Sequence, residues 1–182
     1  MKRWMMLLPL AVLAAILGIS LSRLTSKDPA PTGFESPKRP APTLEMVGFD
    51  GPAVSMTGFR GRPVLVNFWG SYCAPCKLEH PQLMNMQAAG VEIVGILYHD
   101  PHPEEARIYL DAKGNPFAHI AVDEEGRAFV DFGAAGVPES FLVDANGVIV
   151  KSLRGPFDAN TAGAFIEAYN AEKAKSKPQA AS

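Results

Sequence analysis

Residues 64–80 read Val-Leu-Val-Asn-Phe-Trp-Gly-Ser-Tyr-Cys-Ala-Pro-Cys-Lys-Leu-Glu-His, and the rest of the chain is organised around them. Residues 64–68 are apolar and β-branched enough to predict a buried strand. After Gly70 the chain turns, and from Cys73 the apolar spacing predicts an amphipathic helix. The C-x-x-C pair therefore lies at a helix N-terminus, whose free N–H groups and dipole stabilise a thiolate. Because thiolates attack disulfides, we expect a redox site.

Other uses of the cysteine pair each lack a feature that they require. Cys73 and Cys76 are the two cysteines of the chain, whereas a zinc ribbon needs a second ligand pair and His80 supplies one ligand at most. Haem attachment requires histidine directly after the second cysteine, where Lys77 stands. A structural disulfide closing so small a loop would constrain the unfolded chain little. The spacing therefore favours a redox-active disulfide.

Length and charge limit the functional classes. The chain has 182 residues, which predicts one domain with appendages. Four of the 17 basic residues precede the first acidic one, so residues 28–182 carry 13 basic against 19 acidic groups. This acidic balance argues against a nucleic-acid partner, because phosphates favour basic surfaces. The sequence has no G-x-G-x-x-G motif for a nicotinamide or flavin cofactor, and we expect no cofactor.

The N-terminal residues 1–23 predict a membrane anchor. Met1-Lys2-Arg3 precedes 19 uncharged residues, 4–22, which would span roughly 28 Å as a helix, about the hydrocarbon thickness of a bilayer. A cleaved signal peptide is the alternative, with imperfect cleavage sites around Ser20 and Ser22, but the apolar run exceeds the usual signal length. Under either interpretation the domain that follows is exported.

The chain after the anchor divides into a linker, a domain and a tail. Residues 24–42 contain five prolines among polar and small residues, which predicts a semi-extended linker that does not pack. The domain is expected at residues 43–172. The polar residues 173–182 predict a disordered tail.

Strands and helices alternate along the predicted domain. The expected elements are a hairpin of strands 44–49 and 53–56, strand 64–68, the helix from Cys73, strand 91–98, helix 103–113, strand 117–122, helix 124–132, strands 140–143 and 148–153, and a helix from Asp158 to about Lys173. Strands that alternate with helices imply an α/β sheet with parallel strands. Asp158 is the expected N-cap of the last helix.

Two groups of polar residues invite a functional interpretation. Glu79 stands three residues after Cys76 on the same helix face, either as a solvated surface charge or as a partly buried base for the thiols. His99 and His102 have a spacing that could bind metal, but no further ligand stands nearby, so we expect no metal site.

The order of these elements resembles the thioredoxin-like fold, a central mixed sheet flanked by helices, here with an N-terminal β-hairpin, an inserted βα unit and one preceding transmembrane helix. Residues 58–80 and 133–155, with the motifs C-x-x-C-x-x-E-H and G-V-P-E, are similar to the membrane-anchored thiol:disulfide interchange proteins of cytochrome c maturation, the DsbE/CcmG group. The anchor and the proline-rich linker are similar too. The resemblance covers roughly residues 42–170.

Position and chemistry assign different roles to the two cysteines. Cys73 comes first in the helix and is expected to be more exposed, so it would attack a partner disulfide, and Cys76 would resolve the mixed disulfide. Pro75 removes a backbone N–H that could solvate a thiolate, which favours a reducing couple. Lys77 would act in the opposite direction if it leaned towards Cys73.

The resemblance implies a role for the buried polar residues. In the DsbE/CcmG group the glutamate at the position of Glu79 adjusts thiol acidity. Asn67 stands where ordinary thioredoxins carry a buried aspartate, and because its amide cannot accept a proton, any base must come from elsewhere, which fits Glu79. Asn67 is equally consistent with a hydrogen-bonded polar residue of the core.

The resemblance also predicts a substrate groove. Val137–Pro138 would be the cis-proline bond beside the cysteines, leaving backbone groups free to pair with an extended peptide. Glu139 would belong to an acidic groove, or else be a solvent-exposed residue of an edge strand. Trp69 and Tyr72 would frame the cysteines as a contact surface, and the family usually has tryptophan in place of Tyr72.

Together these observations predict a periplasmic thiol:disulfide oxidoreductase held at the bacterial inner membrane. Its expected substrate is a disulfide in apocytochrome c or in a haem-ligation partner, and its expected electron donor is a membrane dithiol protein similar to DsbD or CcdA. One alternative is the same chemistry on copper-oxidase assembly proteins. Another is a non-catalytic copper metallochaperone that binds through Cys73, Cys76 and His80.

Overall fold

Short strands and helices alternate along residues 34–176, the part of the chain that the computed structural model describes. The strands are β1 (Phe34–Glu35), β2 (Arg39–Pro40), β3 (Glu45–Gly48), β4 (Val54–Ser55), β5 (Val64–Trp69), β6 (Ile93–Tyr98), β7 (His119–Asp123), β8 (Glu139–Val143) and β9 (Val148–Arg154). The helices are α1 (Ala74–Ala88), α2 (Pro103–Lys113), α3 (Arg127–Asp131) and α4 (Ala159–Ser176), with a 3-10 turn at Met56–Phe59.

One mixed sheet joins the strands in the order β1-β9-β8-β5-β6-β7-β3-β4, and β2 also pairs with β9. The three strands β5, β6 and β7 are parallel, and the remaining pairings are antiparallel. The expected α/β architecture with a mixed sheet and flanking helices is therefore confirmed.

The central strand β5 has all six residues buried. Alternate side chains of a strand point to opposite faces of the sheet, so Leu65 and Trp69 join one core cluster whereas Val66 and Phe68 join the other. Its neighbours β6 and β8 occupy both of its hydrogen-bonding edges. The strand predicted at 64–68 is confirmed, and the chain leaves it directly into the cysteine motif.

Helices cover both faces of the sheet. Leu83 of α1, Leu110 of α2 and Phe165 of α4 belong to one core cluster, and Ala128 of α3 belongs to the cluster on the opposite face. Burying each large apolar side chain contributes about 1.5–3 kcal/mol. Helix α1, which begins with the cysteine motif, is thus held by the packing of its neighbours.

The predicted N-terminal hairpin is present as β3 and β4, which pair antiparallel. Its first strand also pairs with β7, so the hairpin extends the main sheet. A Cβ atom at Gly48 would overlap the Pro52 carbonyl oxygen, which explains the glycine at this turn.

The expectation of an unpacked linker over residues 24–42 is wrong for its C-terminal part. Strands β1 and β2 pair antiparallel with β9, Ala41 is 7% exposed, and its N–H donates to the Gly147 carbonyl at 2.8 Å. Pro40 in β2 is compatible with the pairing because Pro is tolerated on short edge strands.

The predicted anchor at residues 1–23 lies outside the described residues, as do residues 177–182 of the predicted tail. Within residues 34–176, no helix has both the length and the apolar character needed to cross a membrane. Helix α4 continues to Ser176, so the tail prediction is wrong for residues 173–176. Lys173 and Lys175 in its last turn favour this extension, because cations stabilise a helix C-terminus.

Candidate active site

Cys73 and Cys76 form a disulfide at the start of α1. Cys73 is the N-cap residue, and its sulfur accepts a hydrogen bond from the Cys76 N–H at 3.1 Å. Within residues 34–176 this amide is the one hydrogen-bond donor to that sulfur, because Pro75 has no N–H. The predicted placement of the pair at a helix N-terminus is therefore confirmed.

The expectation that Cys73 is the more exposed cysteine is wrong for the disulfide form. Cys73 is 5% exposed and Cys76 is 6% exposed. The Cys73 sulfur lies 3.6 Å from the carbonyl oxygen of Val137, so the loop between α3 and β8 covers it. A reduced Cys73 thiol could donate to this carbonyl, since a thiol is a weak donor.

The peptide bond between Val137 and Pro138 is cis, as the resemblance implied. Val137 is half-buried and Pro138 is buried. The Pro138 carbonyl accepts from the Gly155 N–H at 3.0 Å, which ties the loop to the end of β9. The structure thus brings the second predicted motif against the first.

Glu79 is fully buried at 0% exposure. One carboxylate oxygen accepts from the Asn67 side-chain amide and the other from the Phe157 backbone N–H, each at 2.9 Å. The Asn67 amide also donates to the Ser140 hydroxyl at 3.0 Å. Of the two alternatives for Glu79, the solvated surface charge is therefore excluded.

Burial raises the pKa of Glu79 from its ordinary 4.5 to about 7, because the charged carboxylate loses its hydration. The N–H of Phe157 and the amide of Asn67 act in the opposite direction, since both stabilise the carboxylate. Glu79 and Cys76 line the same small internal cavity. A carboxyl group that titrates near neutral pH beside a thiol is suited to accept its proton.

Trp69 does not form the contact surface that we expected. Its side chain is 4% exposed and stacks on Phe117, with ring centroids 5.1 Å apart. A Cβ atom at Gly95 would lie 2.8 Å from the Phe117 ring and 2.9 Å from the Trp69 indole nitrogen. The glycine in β6 therefore makes room for this stack, which forms the floor of the site.

Tyr72 is the aromatic residue that reaches the surface, with 49% of its area exposed. Its hydroxyl donates to the Tyr98 carbonyl at 3.1 Å. Its ring folds over Gly70, where a Cβ atom would lie 2.5 Å from a ring carbon. Gly70 is therefore required for the tyrosine to lie beside the cysteines as predicted.

Glu139 fits neither alternative considered for it. It is 2% exposed, it lies on an internal strand, and its carboxylate accepts from the Arg154 guanidinium at 3.3 Å and from the Ala135 N–H at 2.8 Å. The arginine compensates the buried charge, as buried carboxylates require. Glu139 thus braces the cis-proline loop and offers little charge to a groove.

The neighbouring basic residues of α1 contact the Tyr109 ring of α2. The Lys77 ammonium lies 5.6 Å from the centroid of the Tyr109 ring. His80 is 7% exposed, packs edge-on against the same ring at 5.0 Å, and has its pKa lowered by burial. A lysine held over an aromatic ring offers little stabilisation to a Cys73 thiolate.

The two surface histidines near the site do not converge on a metal centre. His102 pairs with Glu104 at 3.2 Å, and His99 stacks on the Tyr98 ring. Among the described residues, no three His, Cys, Asp or Glu side chains are grouped to hold a metal ion.

Comparisons with known proteins agree with this geometry. The sequence pattern of the Redoxin family matches residues 28–172. The chain belongs to the Redoxin family. It is 37% identical over 158 residues to the thiol:disulfide interchange protein HelX of Rhodobacter capsulatus, an alignment that covers 86% of this chain and 89% of the relative.

Two further relatives place this Redoxin chain among thiol:disulfide interchange proteins. It is 35% identical over 156 residues to DsbE of Escherichia coli, covering 82% of this chain and 84% of DsbE. A crystal structure of a putative DsbE from Chlorobium tepidum superposes with a TM-score of 0.66 at 26% identity, covering 77% of this chain and 99% of that one. With the Cys73–Cys76 disulfide, these relatives identify a thiol:disulfide oxidoreductase with a thioredoxin-like fold.

Sequence reasoning missed two Redoxin-domain residues beside the site. The metal-site expectation concerned the histidines on either side of Asp100 but not Asp100 itself. Its carboxylate accepts hydrogen bonds from the Ser71 N–H at 2.6 Å and the Ser71 hydroxyl at 3.0 Å. The parallel pairing of β5 with β6 could have revealed it, because parallel neighbours end at the same sheet edge. Arg39, assigned to the linker, donates to the carbonyls of Asp131 and Phe132 at the end of α3, and no local signal predicts that contact.

Proposed function

We propose that this oxidoreductase works as an exported, membrane-tethered reductase in the bacterial periplasm. Its proposed substrate is a disulfide in apocytochrome c or in a haem-ligation partner, which must be reduced before haem can attach. The proposal for the substrate rests on the resemblance to the DsbE/CcmG group, and the proposal for location rests on the apolar residues 4–22.

We infer the direction of electron flow from the surroundings of the Cys73 sulfur, which contain few groups that could stabilise a thiolate. It accepts one N–H bond, from Cys76, and the nearby Lys77 lies over Tyr109. A thiolate that is weakly stabilised makes the reduced form less stable, so the dithiol gives up its electrons readily. This arrangement favours a reductase over an oxidant.

The proposed cycle transfers two electrons to the partner. The Cys73 thiolate attacks one sulfur of the partner disulfide, forming a mixed disulfide and releasing the other partner sulfur as a thiolate, which takes a proton from water. Glu79 accepts the proton of the Cys76 thiol, and the Cys76 thiolate then attacks the Cys73 sulfur. The partner leaves with two reduced cysteines, and the chain holds the disulfide that the structure shows.

Electrons must return to the chain from another dithiol. We propose a membrane dithiol protein similar to DsbD or CcdA, as the resemblance implies. Its thiolate would attack the Cys73–Cys76 disulfide, and its own cysteine pair would become oxidised as the chain is reduced. The half-exposed Tyr72 and the Val137 backbone beside Cys73 offer both partners the same contact surface.

The test of the substrate is a covalent trap in the native membrane. Cys76→Ser leaves Cys73 free to attack but removes the residue that resolves the mixed disulfide, so the partner stays attached. We expect mass spectrometry to identify apocytochrome c or a haem-ligation protein, released by reductant. The double variant Cys73→Ser/Cys76→Ser is the matched control and should retain neither apocytochrome c nor a haem-ligation protein.

Other outcomes of the trap would replace this proposal. Capture of a copper-oxidase assembly protein would keep the chemistry and change the substrate. If nothing is trapped and the reduced chain binds stoichiometric copper tightly, the metallochaperone alternative replaces the reductase. Location is tested separately: a reporter enzyme active only outside the cytoplasm, fused after residue 182, should be active and should sediment with membranes.

A further inference from the structure

The turn that carries the nucleophile is fastened to the loop after β6 by one carboxylate. Asp100 is half-buried and accepts three hydrogen bonds, from the Ser71 N–H at 2.6 Å, the Ser71 hydroxyl at 3.0 Å and the His102 N–H at 3.0 Å. Ser71 is 2% exposed and stands two residues before Cys73. Asp100 therefore links the segment before the nucleophile to the start of α2.

A second bond fastens the same turn to the last residue of β6. The Tyr72 hydroxyl donates to the Tyr98 carbonyl at 3.1 Å, and the Cys73 N–H donates to the Gly70 carbonyl at 3.1 Å. Residues 70–73 thus have their own internal bond and are held from outside at two consecutive residues. Loops that carry catalytic residues need such support, because small displacements of a reacting atom slow the reaction strongly.

The bonds at Asp100 are stronger than ordinary turn bonds. Hydrogen bonds to an ionised acceptor are shorter and about twice as strong as those between neutral groups. Asp100 is also the charge that adds to burial in raising the pKa of Tyr72, so its carboxylate lies close enough to act on the residue next to Cys73. An uncharged acceptor in its place, such as a serine hydroxyl or an asparagine amide, would therefore hold the turn less strongly.

We propose that Asp100 is a positioning residue for disulfide exchange, which holds the Ser71–Tyr72 segment so that the Cys73 sulfur lies in line with an incoming disulfide beside the Val137 carbonyl. The inference concerns the thiol:disulfide exchange reaction itself and is independent of which protein is the substrate. Both reactions are in-line displacements, but a peptide disulfide must fit its S–S axis between the residues around Cys73, whereas a small alkylating reagent can turn freely to present its C–I bond to the thiolate. Positioning should therefore affect exchange more than alkylation.

The test compares two rates in the full-length chain carrying Asp100→Ala, Asp100→Asn or Ser71→Ala. The probe for exchange is a small disulfide-bonded peptide, and the probe for alkylation is iodoacetamide at a pH where Cys73 is fully ionised. We expect exchange by Asp100→Ala to slow by roughly tenfold or more while its plateau alkylation rate changes less than twofold. Asp100→Asn keeps one acceptor oxygen, and Ser71→Ala loses one bond, so both should be intermediate.

The matched control is Glu105→Gln, which removes one charge from the exposed first turn of α2 and should match the wild type in both rates. If Asp100→Ala fails to fold, the graded loss in Asp100→Asn and Ser71→Ala tests the same point. Unchanged exchange rates in these variants would overturn the proposal. So would equal changes in exchange and alkylation, because they would indicate an effect on thiolate reactivity rather than on position.

Discussion

The buried carboxyl group of Glu79 should make the stability of the folded chain depend on pH. Its pKa rises from 4.5 to about 7 on folding, with burial as the main cause. The folded state therefore binds the proton more tightly than the unfolded state, and the difference corresponds to about 3 kcal/mol. This stability is fully present below about pH 4.5, decreases as pH rises, and is lost above about pH 7.

The variant Glu79→Gln removes the titration while keeping nearly the same shape. Glutamine has one acceptor oxygen for the Phe157 N–H, and its NH₂ can donate to the Asn67 side-chain oxygen, which lacks a partner within the described residues, if that amide turns over. Ser140 can then donate its hydroxyl to the same oxygen. The substitution should therefore add an offset that does not change with pH.

The assay is urea unfolding of the oxidised chain between pH 4.5 and 8. The difference in unfolding free energy between wild type and Glu79→Gln should change by about 3 kcal/mol across this range, in favour of the variant at high pH. Taking the difference removes the contributions of other groups, including His80, whose pKa is lowered. The exposed Glu105→Gln should give a curve parallel to the wild type.

Parallel curves for wild type and Glu79→Gln would refute the reasoning, because they would mean that the carboxyl group titrates alike in both states. The catalytic role is measured separately, by the release of a mixed-disulfide partner in stopped-flow experiments. Loss of the base should slow this step by roughly 10²-fold and abolish its pH dependence near 7. An unchanged pH dependence of both exchange and Cys73 alkylation would leave Glu79 with a structural role only.

Three further substitutions test separate parts of the site. Gly95→Ala places a Cβ against the Trp69 stack and should cost about 1–3 kcal/mol in urea unfolding, so unchanged stability would contradict the packing argument. Arg154→Met leaves the buried Glu139 carboxylate without its cation and should lower the free energy of unfolding in urea by about 2 kcal/mol, so an unchanged stability would contradict the role of Arg154 as its partner. Arg39→Ala frees the end of α3 and should speed hydrogen exchange in residues 133–136 while exchange in β6 stays the same.

Local sequence signals were sufficient to predict the helices and strands whose first and last residues are marked by nearby residues such as proline and glycine. Helix α2 spans Pro103–Lys113 as predicted, because proline suits the first helical position and Gly114 adopts a positive φ of 92° after the last one. The strand–turn–helix around Cys73 was predicted from the apolar run 64–68 and the apolar spacing of Leu78, Leu83 and Met86, of which Leu83 and Met86 are buried and Leu78 is exposed. Periodicity and end signals within a few residues determine such elements.

The strands before residue 41 could not be predicted, because their partner lies far along the chain. Phe34 pairs with Leu153 and Arg39 with Ile149, and strands of two residues are too short to show a periodicity of their own. The pairing also explains how Arg39 reaches the end of α3. Part of the predicted linker is thereby an edge of the sheet.

The same limit applies to the burial of Glu79, Glu139 and Trp69. The motif located each residue correctly, but burial depends on neighbours that are distant in sequence, such as the Phe157 N–H, which lies 78 residues after Glu79. A glutamate on a helix is usually solvated, so spacing alone could not choose between a surface charge and a buried base. The resemblance to the DsbE/CcmG group favoured the buried base for Glu79. The packing of α4 and of the loop before it, which contains Phe157, explains that burial.

Three carboxylates around the disulfide perform different tasks because their surroundings differ. Among residues 34–176, Glu79 receives two uncharged donors and no cation, so burial dominates and its proton is held until near neutral pH. Glu139 is equally buried but pairs with Arg154, so it serves as a fixed brace for the cis-proline loop. Asp100 is half-buried with three donors and orders the turn before Cys73. Glu139 is buried with a cation and Asp100 keeps contact with solvent, whereas Glu79 is fully buried with uncharged donors and is therefore the carboxyl group suited to exchange a proton with Cys76 in the reduced chain.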